Sequence, residues 1–540
     1  MTPRLRRHCS NPYLANRPWQ PAIAQWIDHP AAVPLAILAL AVFYLVTLVK
    51  GQNWSGDFSL YILHAQNLVE GRHYLDTGYL LNPVSKFVGP YGYPPVFPLL
   101  LAPVYALYGL DLEALKWVGV LSFGLSLWLA ARVFERRLER RFVFFLVLVV
   151  GLNPYIWDFT NLIRADFTFM VFCYLSLFLM LLFLAGDQGR LRTPGRQITA
   201  GALIGLSMYL AFGAREIGIV LPLTLLTYDI VCRRRISLLS IVALGIFAIL
   251  AWLQSLWFSA SFVPGHFDEN LKHLTDKYSS AAGLNHLSFV DLDPRNILER
   301  IIGYRWALQG FWPPSSSAFI NTLNELLFNL FSLFAIGGYI LALRRGITVL
   351  EIFLAGYIAV LLLFGAAPTI RYLIPIFPFF LYYGFLVCQE TIFPRLPRLK
   401  YLVAGGYFLL LAAISLPVMA TMEHPQLELG ITHPDAEAMF RFIREETRQD
   451  DTIVFIKPRI MALMTGRDSA TWPSKRYSSP ESMNLFFEAV EADYYVDMNL
   501  AEWMLPLTQS ERPSNCFRPV FRNDYFVVYR YGKRFCPELQ

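Results

Sequence analysis

Charge is scarce in this sequence. Only 16% of its 540 residues are Asp, Glu, Lys or Arg, 55% are hydrophobic, and the mean hydropathy is +0.43. That balance excludes a single ordinary soluble domain and makes the chain a polytopic membrane protein. Cysteine is scarce too, six in all. Cys9, Cys173, Cys232 and Cys388 fall in segments read as cytoplasmic or membrane-embedded, whereas Cys516 and Cys536 fall in an outer segment where an oxidising compartment permits a disulfide. Simple pairing about Asn523 sets Cys516 opposite Arg530 and not Cys536, so a bridge and two free thiols both stay open. There is no Walker sequence, no GxGxxG opening a helix and no GxSxG elbow, which disfavours an ATP-driven pump. No Cys/His cluster has metal-ligand spacing, and there is no internal repeat or low-complexity tract. The net charge of +6 arises from short basic clusters between apolar runs, so it marks topology and not nucleic-acid binding.

What is present is a series of apolar runs. Segments long enough to span a bilayer, about 20 residues each, occur at 31–49, 113–134, 142–156, 167–185, 198–213, 217–231, 238–258, 326–343, 349–367, 372–387 and 401–419, eleven in total. Arg4, Arg6, Arg7 and Arg17 precede the first, which starts too late and runs too long for a cleaved signal, so it reads as an uncleaved anchor. A further candidate, 96–110, is short and crowded by Pro94, Pro95, Pro98 and Pro103. If it does not cross, the N-terminal arginines and the clusters at 132–141, 190–196, 233–235, 344–345 and 395–400 all face one side. If it crosses, every later cluster flips. The positive-inside rule therefore predicts an interfacial or re-entrant helix at 96–110 and a cytoplasmic side for the clusters.

The outer side then holds the loop 56–95, the turn 153–166, the loop 259–325 and everything beyond 421. The expected division is a cytoplasmic segment 1–30, a membrane domain 31–420 and a soluble outer domain 421–540. The last reads as small and α/β, with helices at 435–448 and 481–490 and strands at 452–456, 494–496, 517–521 and 525–531.

Four features of the outer side carry chemistry. In GDFSLYILHAQNLVEGRHYLDTGYLLNPVSKFVGPYGYPP, Asp57 follows Gly56, and Tyr61, His64, Ala65 and Leu68 recur at helical spacing until Gly71. This predicts an amphipathic helix along the membrane surface with an acid at its start; the plainer alternative makes Asp57 an N-cap. Asp166 sits at the mouth of the fourth span beside Arg164, with a cap or a local ion pair as its alternatives, and Asp158 competes for the same role. Arg215 and Glu216 lie between two short spans, Arg371 heads the tenth, and Lys86 adds a cation in the first loop. Snorkelling anchors are the alternative for such edge charges. Acids and cations gathered next to lipid suit transfer of a group from a lipid phosphate to a hydroxyl. A carboxylate takes the hydroxyl proton, Lys and Arg stabilise the departing phosphate, and the step requires no metal.

The order of parts resembles the GT-C glycosyltransferases, particularly the protein O-mannosyltransferase and lipid A aminoarabinose transferase branch, over residues 1–420. The match rests on Gly56, Asp57, Tyr61, Ala65, Leu68 and Gly71, then Tyr93, Pro94, Pro95 and Pro98, then Gly109 before a span that ends in basic residues. The resemblance implies a mostly α polytopic fold with interfacial helices in the first outer loop, and a polyprenyl-phosphate-linked sugar as donor. It makes Asp57 the general base, Asp166 a second acid, and Lys86, Arg215 and Arg371 the holders of the donor phosphate, supported by Tyr61, His64, Tyr93 and Glu216. Many relatives carry two adjacent acids where this chain has Asp57 and Phe58, so divalent-metal dependence and the exact acid pair stay open. The expectation is a multi-pass glycosyltransferase of the plasma (inner) membrane, with its C-terminal domain periplasmic and a lipid, glycan or protein acceptor. A flippase for lipid-linked saccharides is the alternative, predicting mid-membrane charges and inverted repeats; a polysaccharide polymerase or ligase is another.

Overall fold

A computed structural model describes residues 26–80, 92–184, 193–260, 291–312, 317–364, 367–395, 406, 409, 412–413, 415–471, 487–488, 490–498 and 516–532. Helix α1 (Ala32–Val46) leads into an outer segment with α2 (Asp57–Glu70), the short strand β1 (Tyr79–Leu80) and α3 (Val96–Tyr108). Then come α4 (Leu112–Phe134), α5 (Arg140–Gly151), α6 (Pro154–Thr160), α7 (Asp166–Leu184), α8 (Pro194–Ala214), α9 (Val220–Tyr228) and α10 (Leu238–Ala260). Helices α11 (Pro294–Gln309), α12 (Ala318–Arg345), α13 (Val349–Leu363) and α14 (Phe377–Val387) complete the described bundle. Among the described residues five helices are long and apolar enough to cross a membrane, or six if the bent pair α5–α6 counts as one. The run 142–156, expected as one span, is broken by 59° between α5 and α6. Asn153 caps α6 and Pro154 opens it, and a proline ring cannot continue the helix before it. Most of 401–419 lies outside the described residues.

Side-chain size sets how closely the spans approach. On α8, a Cβ at Gly201 or Gly205 would lie 2.5 Å from the carbonyl oxygens of Leu239 and Ala243 on α10, so this small-residue face brings the two helices into backbone contact. Gly338 does the same for α12 against Tyr383 of α14.

The two ends of the bundle differ in chemistry. At one end Arg141 pairs with Asp28, Arg137 with Glu351 at 3.2 Å and Arg345 with Glu390 at 2.5 Å, while Gln389 accepts from the Glu139 amide. The basic clusters at 132–141 and 344–345 therefore share a face with the start of α1. At the other end Lys116, near the start of α4, donates to the carbonyls of Val49 and Gly51, both at 2.6 Å. The chain thus leaves α1 and enters α4 at the same end, so α2 and α3 together make no net crossing. With 13 residues, α3 is also about 20 Å long, short of a bilayer core of about 30 Å.

Beyond α14 the chain forms α15 (Pro434–Glu446), β2 (Thr452–Phe455), α16 (Pro458–Thr465), β3 (Ser469–Ala470), β4 (Ala492–Met498), β5 (Phe517–Arg522) and β6 (Phe526–Tyr531). The sheet runs β1-β3-β2-β4-β6-β5, with β1, β3, β2 and β4 paired parallel and β4–β6 and β5–β6 antiparallel. Its edge strand β1 comes from the first outer loop. The same loop shares a core with this domain: Phe58, Tyr61 and Ile62 of α2 and Phe97 of α3 cluster with Ile431, Met439, Phe455 and Ile460. Helix α2 is consequently buried from Phe58 to Ala65, on more sides than its amphipathic spacing suggests, because α16 covers the face that α3 does not. The β5–β6 hairpin does not turn symmetrically about Asn523. Its side chain accepts from the amides of Tyr525 and Phe526, which moves the turn toward the C-terminus and, with a register shift between Pro519 and Phe521, sets Phe517 opposite Tyr531. Cys516, next in register beyond that pair, bonds the Gly532 amide through its carbonyl instead of facing Arg530. Cys516 is disulfide-bonded; Cys536, the candidate partner read from the sequence, lies outside the described residues, as does most of the expected helix 481–490.

Candidate active site

Asp57 is held in place by the segment that precedes it. Within residues 47–56, Val49 donates to the Asn161 side chain at 2.8 Å and Gln52 accepts from the Ile431 amide at 2.9 Å. Trp54 donates to the Leu429 carbonyl at 2.8 Å and packs its ring among Phe440, Phe455 and Phe526. The C-terminal domain and the α6–α7 turn together fix where α2 begins. Asp57 is the first residue of α2 and does not cap it; Gly56 occupies the cap position. Its carboxylate turns instead to side chains. Oδ1 accepts from the Tyr93 hydroxyl at 2.8 Å and Oδ2 from Nη1 of Arg371 at 2.7 Å.

Arg371 lies in the short 3-10 turn Ile370–Leu373, between α13 and α14. Tyr357 supports the turn from α13, its hydroxyl donating to the Tyr372 carbonyl at 3.0 Å, and α11 packs against it. From there Arg371 bridges two acids, its Nε lying 3.1 and 3.2 Å from the oxygens of Asp166. Asp166 opens α7, is 1% exposed, and also pairs with Arg215, whose guanidinium lies over the Tyr372 ring. The alternative of a local pair between Arg164 and Asp166 is not realised: Asp166 pairs with Arg215 and Arg371. Arg164 points its Nη2 to the Ser55 hydroxyl at 3.2 Å and stands over the Phe159 ring, with Nε buried and without a partner among the described residues. Asp158 pairs with His424 at 2.8 Å and takes no part in this network.

Asp57, Asp166, Arg215 and Arg371, separated by up to 314 positions in sequence, thus form one connected ion-pair network at the end of the bundle opposite the basic clusters. Burial pushes the Asp57 carboxyl up. The guanidiniums of Arg371 and Arg164 and the hydrogen bonds from Arg371 and Tyr93 outweigh it, and hold the acid below the usual carboxylate range. Tyr93 is pushed up to about 12 by burial and by the Asp57 charge.

The supporting residues divide. Tyr61 packs its ring on Tyr93 with centroids 4.6 Å apart. His64 is fully buried: Nε2 accepts from the Tyr93 amide at 3.2 Å, so Nδ1 carries the proton and donates to the Tyr74 carbonyl at 2.7 Å. Burial lowers this imidazole to about 4, and it closes the loop as a neutral ring. Glu216 is exposed at the start of a 3-10 turn. Lys86 lies outside the described residues. Two further cations belong here. Arg164 appeared in the sequence only as a neighbour of Asp166, and Arg459 of α16 carried no signal at all; its Nη1 donates to the Tyr93 hydroxyl at 3.3 Å across 366 positions. Four guanidiniums therefore surround two carboxylates.

The architecture is that of a polytopic, mostly α-helical membrane protein with a GT-C-like fold. Among solved structures the chain is similar to ArnT from Cupriavidus metallidurans bound to undecaprenyl phosphate, at 13% identity and a TM-score of 0.56, over 94% of this chain and 99% of that one. The apo state of the same protein gives 14% identity and a TM-score of 0.56, covering 94% and 98%. The oligosaccharyltransferase AglB from Archaeoglobus fulgidus, in complex with an inhibitory peptide and a dolichol-phosphate, gives 12% identity and a TM-score of 0.55 over 86% of this chain and 69% of that one. No protein-family model matches the sequence, and no curated protein matches it.

Proposed function

We propose that this chain is a membrane glycosyltransferase that moves one sugar from a polyprenyl-phosphate carrier to a hydroxyl acceptor at the outer face of the membrane. The observation that carries the reading is the bridge made by Arg371 between Asp57 and Asp166, in a cluster with more cations than acids. Such a cluster is suited to an anion, and the fold it sits in is one that in ArnT binds undecaprenyl phosphate. The acceptor oxygen attacks the anomeric carbon, the bond from that carbon to the phosphate oxygen breaks, and Asp57 takes the hydroxyl proton. The carrier leaves as a phosphate anion stabilised by guanidiniums and needs no proton; the anomeric centre inverts.

Asp57 as it stands is a weak base, because Arg371 is bonded to it. A donor phosphate competes with both carboxylates for Arg371. Once that guanidinium turns to the phosphate, Asp57 loses its strongest cationic partner and its basicity rises, so donor binding itself readies the base. Arg215 stays on Asp166, and Arg164, with an unpaired Nε, is available to the same anion. The basic end of the bundle is then cytoplasmic and the C-terminal domain lies outside, in accord with the positive-inside rule.

Lipid extraction from a strain deleted for this gene is the test. An accumulated polyprenyl-phosphate sugar together with a missing surface glycan is expected, restored by the wild-type gene and not by Asp57→Asn. An unchanged lipid pool, or restoration by Asp57→Asn, overturns the reading or the role of Asp57 respectively.

A further inference from the structure

Arg459 is placed where nothing among the described residues of its own domain favours it. It sits in the first turn of α16, at the positive end of the helix dipole, and is 5% exposed. Among the described residues no carboxylate pairs with it. Its guanidinium lies over the rings of Tyr79 and Tyr93, at 5.6 and 5.9 Å, and donates to the Tyr93 hydroxyl. A buried guanidinium without a counter-ion is costly to fold around. Among the described residues its compensation lies in the first outer loop and not in the C-terminal domain that carries it.

We propose that Arg459 is a positioning residue for Asp57, acting through the hydroxyl of Tyr93. The proposal rests on the reading of Asp57 as the base. Tyr93 is fixed at three other points: its amide donates to His64, its carbonyl accepts from the Tyr74 hydroxyl at 2.8 Å, and its ring packs on Tyr61. A guanidinium can only donate, so Arg459 occupies a lone pair of the phenol oxygen and commits the single phenol proton to Asp57. Oδ1 of Asp57 is therefore tied, and Oδ2, the oxygen that Arg371 holds, is the one that takes the acceptor proton once Arg371 turns away. Without Arg459 the phenol can rotate and accept from another donor, and Asp57 loses its fixed orientation at the moment it loses Arg371. The C-terminal domain thus completes the centre through one side chain.

The test uses full-length protein in detergent carrying a fluorinated tyrosine at position 93, read by fluorine NMR against pH. Among the described residues the charged groups facing that phenol are Asp57 and Arg459, with Arg371 on the far oxygen of Asp57 and the Tyr61 hydroxyl beside them. Arg459→Gln is expected to raise the phenol titration by about one pH unit or more, and Asp57→Asn to lower it. Arg459→Lys, which keeps charge and bulk, should fall between wild type and Arg459→Gln, and it decides the matter if Arg459→Gln does not fold. A folded variant whose titration coincides with wild type overturns the proposal. In a parallel assay with labelled undecaprenyl-phosphate-linked sugars, Arg459→Gln should lower kcat about tenfold or more with KM little changed, and Arg459→Lys should recover part of the loss. A kcat equal to wild type in the folded Arg459→Gln protein also overturns it. If the wild-type protein transfers none of these sugars, the proposed function fails while the fluorine titration still decides whether Arg459 acts through Tyr93.

Discussion

Two residues give the site separate responses to pH, one in activity and one in stability. The Arg371 guanidinium holds free Asp57 below the usual carboxylate range, and donor binding is proposed to take Arg371 away. The acid limb of kcat/KM reports the free enzyme and that of kcat reports the substrate complex. The limb of kcat is therefore expected at higher pH than that of kcat/KM; coincident limbs would show that Arg371 stays on Asp57 throughout. His64 acts on stability instead. Its neutral ring is lowered to about 4 in the fold against 6.5 for the free side chain, so between those values the unfolded chain binds a proton that the folded chain refuses. The stability it contributes is complete above pH 6.5 and is lost as pH falls through about 4. Melting temperature should drop across that window in wild type, and His64→Gln should flatten the drop; an unchanged slope removes His64 as its source. The position of Asp57 at a helix start was legible in the sequence, because Gly56 and the spacing behind it mark that start. The partners of its carboxylate were not, since Tyr93 and Arg371 reach it from separate parts of the chain, and Arg459 reaches Tyr93 from a third.

At the scale of elements, the start of α2 depends on a short segment pinned from several sides. Lys116 is fully buried in α4, and its ammonium satisfies the carbonyls of Val49 and Gly51. Lys116→Met keeps most of the volume and strands both carbonyls, at a cost of about 1–3 kcal/mol. The variant should melt earlier and be cleaved faster by protease within residues 47–56, whereas a wild-type melting curve would show that water replaces the ammonium without loss. The role of α3 follows from the same contact. Its prolines and length suggested that it stays at one face, and the adjacency of Val49 to Lys116 supplies the geometric reason: the chain is already back at the end it left.

The whole molecule is organised by a shared core more than by a boundary near 421. The first outer loop lends β1 to the C-terminal sheet, and α2 packs on α16. Removing residues 421–540 would expose Phe58, Tyr61, Ile62 and Phe97 together and leave Trp54 without its aromatic partners. The truncated chain is expected to aggregate in detergent on size-exclusion chromatography; a monodisperse product with native-like melting would show that the membrane bundle holds the loop unaided.

The sequence by itself determined the membrane-spanning helical class and the common face of the basic clusters at 132–141 and 344–345, because hydrophobic length and charge at helix ends are local properties of the chain. It also marked Asp57, Asp166, Arg215 and Arg371 as charges at the edges of apolar runs, where a charge is conspicuous without any fold. Only the tertiary structure decided which charges meet, that Arg164 turns to Ser55 and not to Asp166, that the hairpin turns beyond Asn523, and that Arg459 reaches Tyr93. Those depend on contacts between positions hundreds of residues apart or on the geometry of one turn. Neither leaves a periodicity for sequence to show.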